Sequence, residues 1–187
     1  MKSVVAGLLL AGLIVAAPAR AEVVQADERG FVVSGSATVR GVSAQEAWAQ
    51  LVEPANWWSS DHSWSGEAQN MWLVGAVDGC FCEALPGLES AEENGSAEHM
   101  RVIQALPGRL LRMRGSLGPL QSEALTGVLT IELAATADKE SALVISWTYV
   151  VGGYARFSLE EIAPAVDGVI DEQMQRFTAH LLHRLEE

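Results

Sequence analysis

The residues best suited to chemistry sit in one short run, Gly79-Cys-Phe-Cys-Glu83, which holds both cysteines of the chain, Cys80 and Cys82. If this run is a β-strand, side chains alternate between faces and both thiols point the same way. Three chemistries are open to such a pair. Two buried thiols can pack as small apolar groups. A disulfide between them would close a very small ring, contribute little as a fold staple and be available for redox exchange. A metal site could use both sulfurs, with His99 the best third ligand if its strand lies beside the cysteine strand. Glu83 points to the face opposite both cysteines, so sulfurs and carboxylate converge only if a bulge intervenes.

The other polar candidates are plainer. Of the four histidines, His62 follows Asp61 in a polar loop, and His180 and His183 lie off the apolar stripe of the last helix. A solvated surface is the simple reading for these three. His99 shares a strand face with Arg101 and Ile103. Arg112 and Arg114 alternate with Leu111 and Met113; turned inward they would hold an acidic group, and turned outward, the favoured reading, they are solvated. No Gly-x-Ser-x-Gly elbow, phosphate-binding glycine loop, dinucleotide fingerprint or His-Glu-x-x-His pattern occurs. Six tryptophans are present, and Trp57, Trp58, Trp64 and Trp72 crowd one stretch. Large rings can line an apolar pocket and its mouth, or simply fill a core.

Hydrophobic periodicity and breakers give the elements that position these residues. Phe31 to Arg40 is rich in β-branched residues and predicts a strand. Ser43-Ala-Gln-Glu46 is a capping box, and the helix behind it ends at Pro54. Ser59 to Asn70 is polar and loop-like. Strands are predicted at Met71–Val77, Gly79–Leu85, Glu98–Ala105, Leu110–Gly115, Leu125–Ala134 and Ala142–Val151. The acidic, breaker-rich stretch Pro86–Ser96 and the turn Asp138-Lys-Glu140 connect some of them. Ile162, Val166, Ile170, Met174, Phe177, Leu181 and Leu185 recur at helical spacing, which predicts a long amphipathic C-terminal helix. Pro164 marks an early turn or kink in it. A hairpin-rich sheet with helices grouped at its ends is an α+β arrangement.

The address comes from the start of the chain. Lys2, the apolar run Val4–Ala17 and Ala19-Arg20-Ala21 read as a secretory signal peptide over residues 1–21. The apolar run is shorter than the roughly 20 residues a membrane span needs. The expectation is therefore a cleaved leader, one domain over residues 22–187, no stable membrane anchor, and a periplasmic or secreted protein in a compartment that permits disulfides. Twelve Lys and Arg against 24 Asp and Glu give a net charge of -12, which excludes the basic face that nucleic-acid binding needs.

Val42-Ser-Ala-Gln-Glu-Ala-Trp48, Pro54-Ala-Asn-Trp-Trp58, Gly79-Cys-Phe-Cys-Glu83, Leu106-Pro-Gly-Arg-Leu110 and Gly118-Pro119 occur in order ahead of the closing helix. In this order the chain resembles the SRPBCC superfamily of START and polyketide-cyclase-like proteins, and within it the branch named after the activator of heat-shock-protein ATPase. The resemblance spans about residues 30 to 185. It implies a helix-grip fold, a curved antiparallel sheet wrapped around a long C-terminal helix, with a cavity between them. The Cys-x-Cys stands where that pattern has ordinary strand residues.

The leading expectation is an exported helix-grip protein that binds a small hydrophobic molecule in this cavity, lined by Trp57, Trp58, Trp72, Met113 and Trp147. An enzyme of the cyclase, hydrolase or thiol-redox type, using the Cys80-x-Cys82 strand, is the alternative. An envelope interaction protein with no small ligand is a third reading.

Overall fold

The structure is a computed structural model in which residues 17–87, 94–136 and 142–186 are described. Met1 to Ala16 of the expected leader, residues 88–93 and the Asp138-Lys-Glu140 turn lie outside the described residues.

Among the described residues, eight strands and two α-helices follow the chain: β1 (Ala17–Asp27), β2 (Gly30–Arg40), α1 (Ala44–Leu51), β3 (Met71–Leu73), β4 (Cys80–Leu85), β5 (Gly95–Leu106), β6 (Leu110–Gly115), β7 (Ala124–Ala135), β8 (Ala142–Tyr154) and α2 (Leu159–His183). They form one antiparallel sheet in the order β1-β2-β8-β7-β6-β5-β4-β3. It is a curved, unclosed sheet with a long C-terminal helix, the α+β class that the element order predicts. Among the described residues no helix is long and apolar enough to cross a membrane.

Local chemistry explains the helices. The Ser43 side chain accepts from the Glu46 amide at 3.2 Å, and Glu46 accepts from the Ser43 amide at 2.8 Å. This reciprocal pair satisfies two donors that α1 would otherwise leave open. Ser158 caps α2 by accepting from the Glu161 amide. Pro164 lies within α2 and the helix continues through it. The apolar stripe of α2 buries Ile170, Met174, Phe177 and Leu181, whereas Ile162 and Val166 are only half-buried and Leu185 lies beyond the helix end.

The sheet shows one apolar and one polar face. In β8, Ile145, Trp147, Tyr149 and Val151 are buried and alternate with Ser146, Thr148 and Val150. Phe31, Val33, Ala37 and Val39 of β2, Leu129, Ile131 and Leu133 of β7, and Leu111 and Met113 of β6 continue the buried face. Arg112 and Arg114 are on the outer face, where Arg112 donates to Thr130 Oγ1 at 2.9 Å and Gln104 Oε1 at 2.8 Å.

Two elements differ from the sequence expectation. The strand expected over Met71–Val77 stops at Leu73, because residues 74 to 79 fold into a turn. There Ala76 N donates to Val74 O and Gly79 N to Ala76 O, both at 2.8 Å, and Asp78 takes a left-handed conformation with φ 65°. β1 is an additional edge strand that hairpins onto β2. It begins at Ala17, within the expected leader. Cleavage after Ala21 would leave Glu22–Asp27, whose partners are Gly30–Ser34.

Candidate functional site

The candidate site is the sheet end where β4 lies between β3 and β5. Its two faces carry different chemistry, and the parity of β4 separates them. Phe81 and Glu83 face the core; Cys80 and Cys82 face outward. Phe81 is 2% exposed and Glu83 0%.

A bulge in β5 completes the inner face. Phe81 pairs with Met100 and Cys82 with Glu98, so His99 is an extra residue between two successive β4 positions. The added residue breaks alternation. His99 therefore joins Met100 on the inner face, and both are buried. Arg101 and Glu98 go to the outer face, with side chains 43% and 47% exposed. The expected shared face of His99, Arg101 and Ile103 is thus split. Gly115 of β6, opposite Met100, lets the bulged backbone approach; a Cβ there would collide with the His99 carbonyl oxygen.

Glu83 and His99 meet in this interior. Glu83 Oε2 is 2.9 Å from His99 Nε2. The same carboxylate accepts from the backbone amides of Trp64, at 2.9 Å, and Ser65. On the far side of the ring, Gln121 Nε2 is 3.4 Å from Nδ1 and 3.1 Å from the Glu98 carbonyl. Gln121 Oε1 accepts from Trp64 Nε1 at 3.0 Å. Burial alone would raise the Glu83 carboxyl; hydrogen bonds from Ser65, Trp64 and His99 outweigh it, and the group lies below its ordinary range. Burial holds His99 below its ordinary value despite the attraction of Glu83. A neutral ring donating from Nε2 to a carboxylate and accepting at Nδ1 fits every contact.

This pair anchors the irregular segment 52–70 to the sheet, and α2 anchors it from the other side. Gln173 Oε1 accepts from the Ser59 amide at 2.8 Å. His62 Nε2 lies 3.0 Å from Glu172 Oε2, so the expected solvated histidine is partnered. Arg176 Nε donates to the Trp57 carbonyl at 3.0 Å.

On the outer face Cys80 and Cys82 are joined as a disulfide, with Cα atoms 5.4 Å apart. Cys80 is half-buried and Cys82 buried. Their cross-strand partners are Arg101 and Glu98 on β5, and Trp72 on β3 stands directly across from Cys82. Arg101 and Glu98 form an ion pair, and Arg101 Nη1 also donates to the Asp78 carbonyl at 2.9 Å. Both sulfurs and a Glu98 carboxylate oxygen lie within 4.8 Å of one another. His99, the expected third partner of the sulfurs, is directed to Glu83. Glu98 takes the place beside them, and a strand pattern alone does not show which of two adjacent residues a bulge turns inward.

Of the five residues expected to line a ligand cavity, Trp57, Trp58, Met113 and Trp147 belong to one core cluster and Trp72 stands apart from it. Trp57 packs on Phe177 and Trp58 on Phe81, each with ring centroids 5.2 Å apart. Their indole N–H groups donate to the Gln50 and His62 carbonyls. Met113 and Trp147 are buried in the same core, while Trp72 is 42% exposed. A groove of about 650 Å3 lies on the outer face, lined by Glu22, Ser34, Ser36, Ser146 and Thr148 with Trp147.

Together the curved sheet, the long closing helix and the two-faced β4 define an α+β protein with a buried Glu–His pair beneath an outer-face disulfide. Solved bacterial proteins share this fold. A protein of unknown function from Staphylococcus aureus aligns at 11% identity over 84% of this chain and 98% of its own, with a TM-score of 0.52. An uncharacterised protein from Rhizobium leguminosarum aligns at 11% identity over 89% and 99%, with a TM-score of 0.51. A conserved protein from Geobacillus kaustophilus aligns at 15% identity over 81% and 95%, with a TM-score of 0.51. No protein-family model matches the sequence, and the search of curated proteins returned no match.

Proposed function

We infer that the chain is an exported, SRPBCC-like helix-grip protein of the periplasm that carries out thiol–disulfide exchange through Cys80 and Cys82. The observation that carries this reading is the position of the Cys80–Cys82 disulfide. It spans one intervening residue on the outer face of a strand already held on both sides by β3 and β5. Loop-closure stabilisation is smallest for such a ring, so fold stapling gives it little reason to exist. Cys80 is reachable from solvent while Cys82 is buried, and an accessible sulfur is what thiol attack requires. The leader-like residues 1–21 and the ordered SRPBCC motifs support the rest of the assignment.

Cys80 is the more accessible of the two cysteines. A substrate thiolate attacks Cys80 Sγ, the Cys80–Cys82 bond breaks, and Cys82 leaves as a thiolate that takes a proton from solvent. A second thiol of the substrate, deprotonated, then attacks the substrate sulfur of the mixed disulfide and releases Cys80. The substrate dithiol is oxidised by two electrons and the cysteine pair is reduced to two thiols.

Incubation of the oxidised protein with a peptide dithiol, read by mass spectrometry, tests the reading. The peptide should lose two hydrogens while the protein gains two, and the Cys82→Ser variant should trap the mixed disulfide of Cys80 when offered a peptide disulfide. A peptide that stays reduced beside an unchanged protein disulfide would overturn it.

A second reading keeps the small apolar ligand between sheet and helix. The observation favouring it is the indole N–H of Trp147, which is 1% exposed and has no hydrogen-bond partner. Buried donors are nearly always satisfied, and a ligand acceptor would supply the missing bond. Saturable binding in a hydrophobic ligand panel, lost in Trp147→Phe, tests it; no saturable binding contradicts it.

A further inference from the structure

Reduction of the cysteine pair changes the electrostatics of the outer face. As a disulfide the two sulfurs are neutral, and Glu98 is paired with Arg101. Reduction creates two thiols beside the Glu98 carboxylate, all three groups projecting from one face of adjacent strands. Their ligand atoms lie within 4.8 Å of one another. Once the bond between them is broken the sulfurs part, and sulfur–metal bonds of about 2.3 Å with a carboxylate bond of about 2.0–2.2 Å need ligand atoms about 3.6–3.8 Å apart, inside the span of this cluster. Two thiolates and a carboxylate carry three negative charges, against the single guanidinium of Arg101.

We propose that the reduced Cys80–Cys82 pair and Glu98 form a binding site for a thiophilic divalent cation such as Zn2+. The cation bonds both thiolates and one carboxylate oxygen, and water completes a tetrahedral shell. Each thiol gives up its proton as its sulfur bonds the metal. Arg101 gives up its ion pair with Glu98 and keeps the bond it makes to the Asp78 carbonyl. Exclusivity is built in: a sulfur bonded to its neighbour has no thiolate to offer, so the site holds either the disulfide or the metal. The geometry of the bulge assigns Glu98, and not His99, as the third ligand. The proposal rests on the exchange reading only in requiring that the pair can be reduced.

The test uses the full chain, reduced with dithiothreitol, with both thiols counted by alkylation, then freed of reductant without oxygen. Titration with Cd2+, which gives an ultraviolet sulfur-to-metal charge-transfer band, should saturate at one ion per chain, and Zn2+ should displace it. Glu98→Gln should weaken binding about tenfold or more, while leaving the band, since both thiolates remain. Zn2+ should also protect both thiols from alkylation. The oxidised protein should show no band. Equal affinity in Glu98→Gln, or no saturable band in a chain whose two thiols are titratable, would overturn the metal site while thiol–disulfide exchange still stood. A pair that dithiothreitol leaves intact in the folded chain would overturn both readings, and the alkylation count shows this before any metal is added.

Discussion

Glu83 Oε2 and His99 Nε2 lie 2.9 Å apart inside the sheet, on the face of β4 opposite the cysteines. Neither residue is near the other by strand alternation alone. The bulge at His99 creates the contact and at the same time directs Glu98 and Arg101 to the cysteines. One register irregularity thus turns His99 inward and Glu98, its neighbour in the chain, outward.

Glu83→Gln should destabilise the chain. Gln can hold one of the amide bonds but presents an NH2 to at least one donor, leaving buried groups unsatisfied. A loss of about 2–3 kcal/mol is expected from buried hydrogen-bond deletions. Urea unfolding of the variant and the parent checks this. An unchanged midpoint would show that the pair contributes nothing to anchoring the 52–70 segment.

Stability should fall on acidification. His99 and Glu83 both have folded-state values below their ordinary ones. The unfolded chain therefore binds more protons, and each contribution is present in full above the unfolded value and lost as pH falls. The histidine contribution should start to fade below pH about 6.5 and the carboxylate contribution below about 4.3. Denaturant midpoints at several pH values check the sign, and His99→Gln should remove the upper step.

Reducing the disulfide should barely loosen the fold. The closed ring is minimal, and chain-entropy arguments give at most about 2 kcal/mol. Thermal melts with and without reductant should differ by only a few degrees. A loss comparable to Phe177→Ala, for which about 3–5 kcal/mol is expected from core truncation, would mean that the disulfide is structural.

Trp72 should report the state of the pair. It is exposed and stands directly across from Cys82. Disulfides quench nearby indole emission, so reduction should raise the fluorescence, and Trp72→Phe should abolish the change. An identical rise in that variant would place the signal elsewhere.

Much of this was legible in the sequence, for physical reasons. The capping box located α1, Leu110–Gly115 marked β6 to the residue, and helical spacing drew α2. Period-two alternation put Glu83 opposite Cys80 and Cys82. The fate of His99 was not legible, because a bulge is a property of the register between two strands and neither strand encodes it alone. β1 was missed because its outer half lies in residues that read as a leader. The surroundings of Trp57 and Trp58 are not legible either, because α2 brings Phe177 onto Trp57 and Arg176 onto both backbone carbonyls from more than a hundred residues away.

On the proposed function, Cys80 and Cys82 cycle between disulfide and dithiol in the folded protein. Equilibration in glutathione buffers of graded ratio, followed by acid quench, alkylation and mass spectrometry, tests it most directly. One reversible two-electron transition is expected, reached from either side, with the remainder of the fold unchanged. Thiols that stay free at every ratio, or a disulfide that stays closed at every ratio, would contradict it.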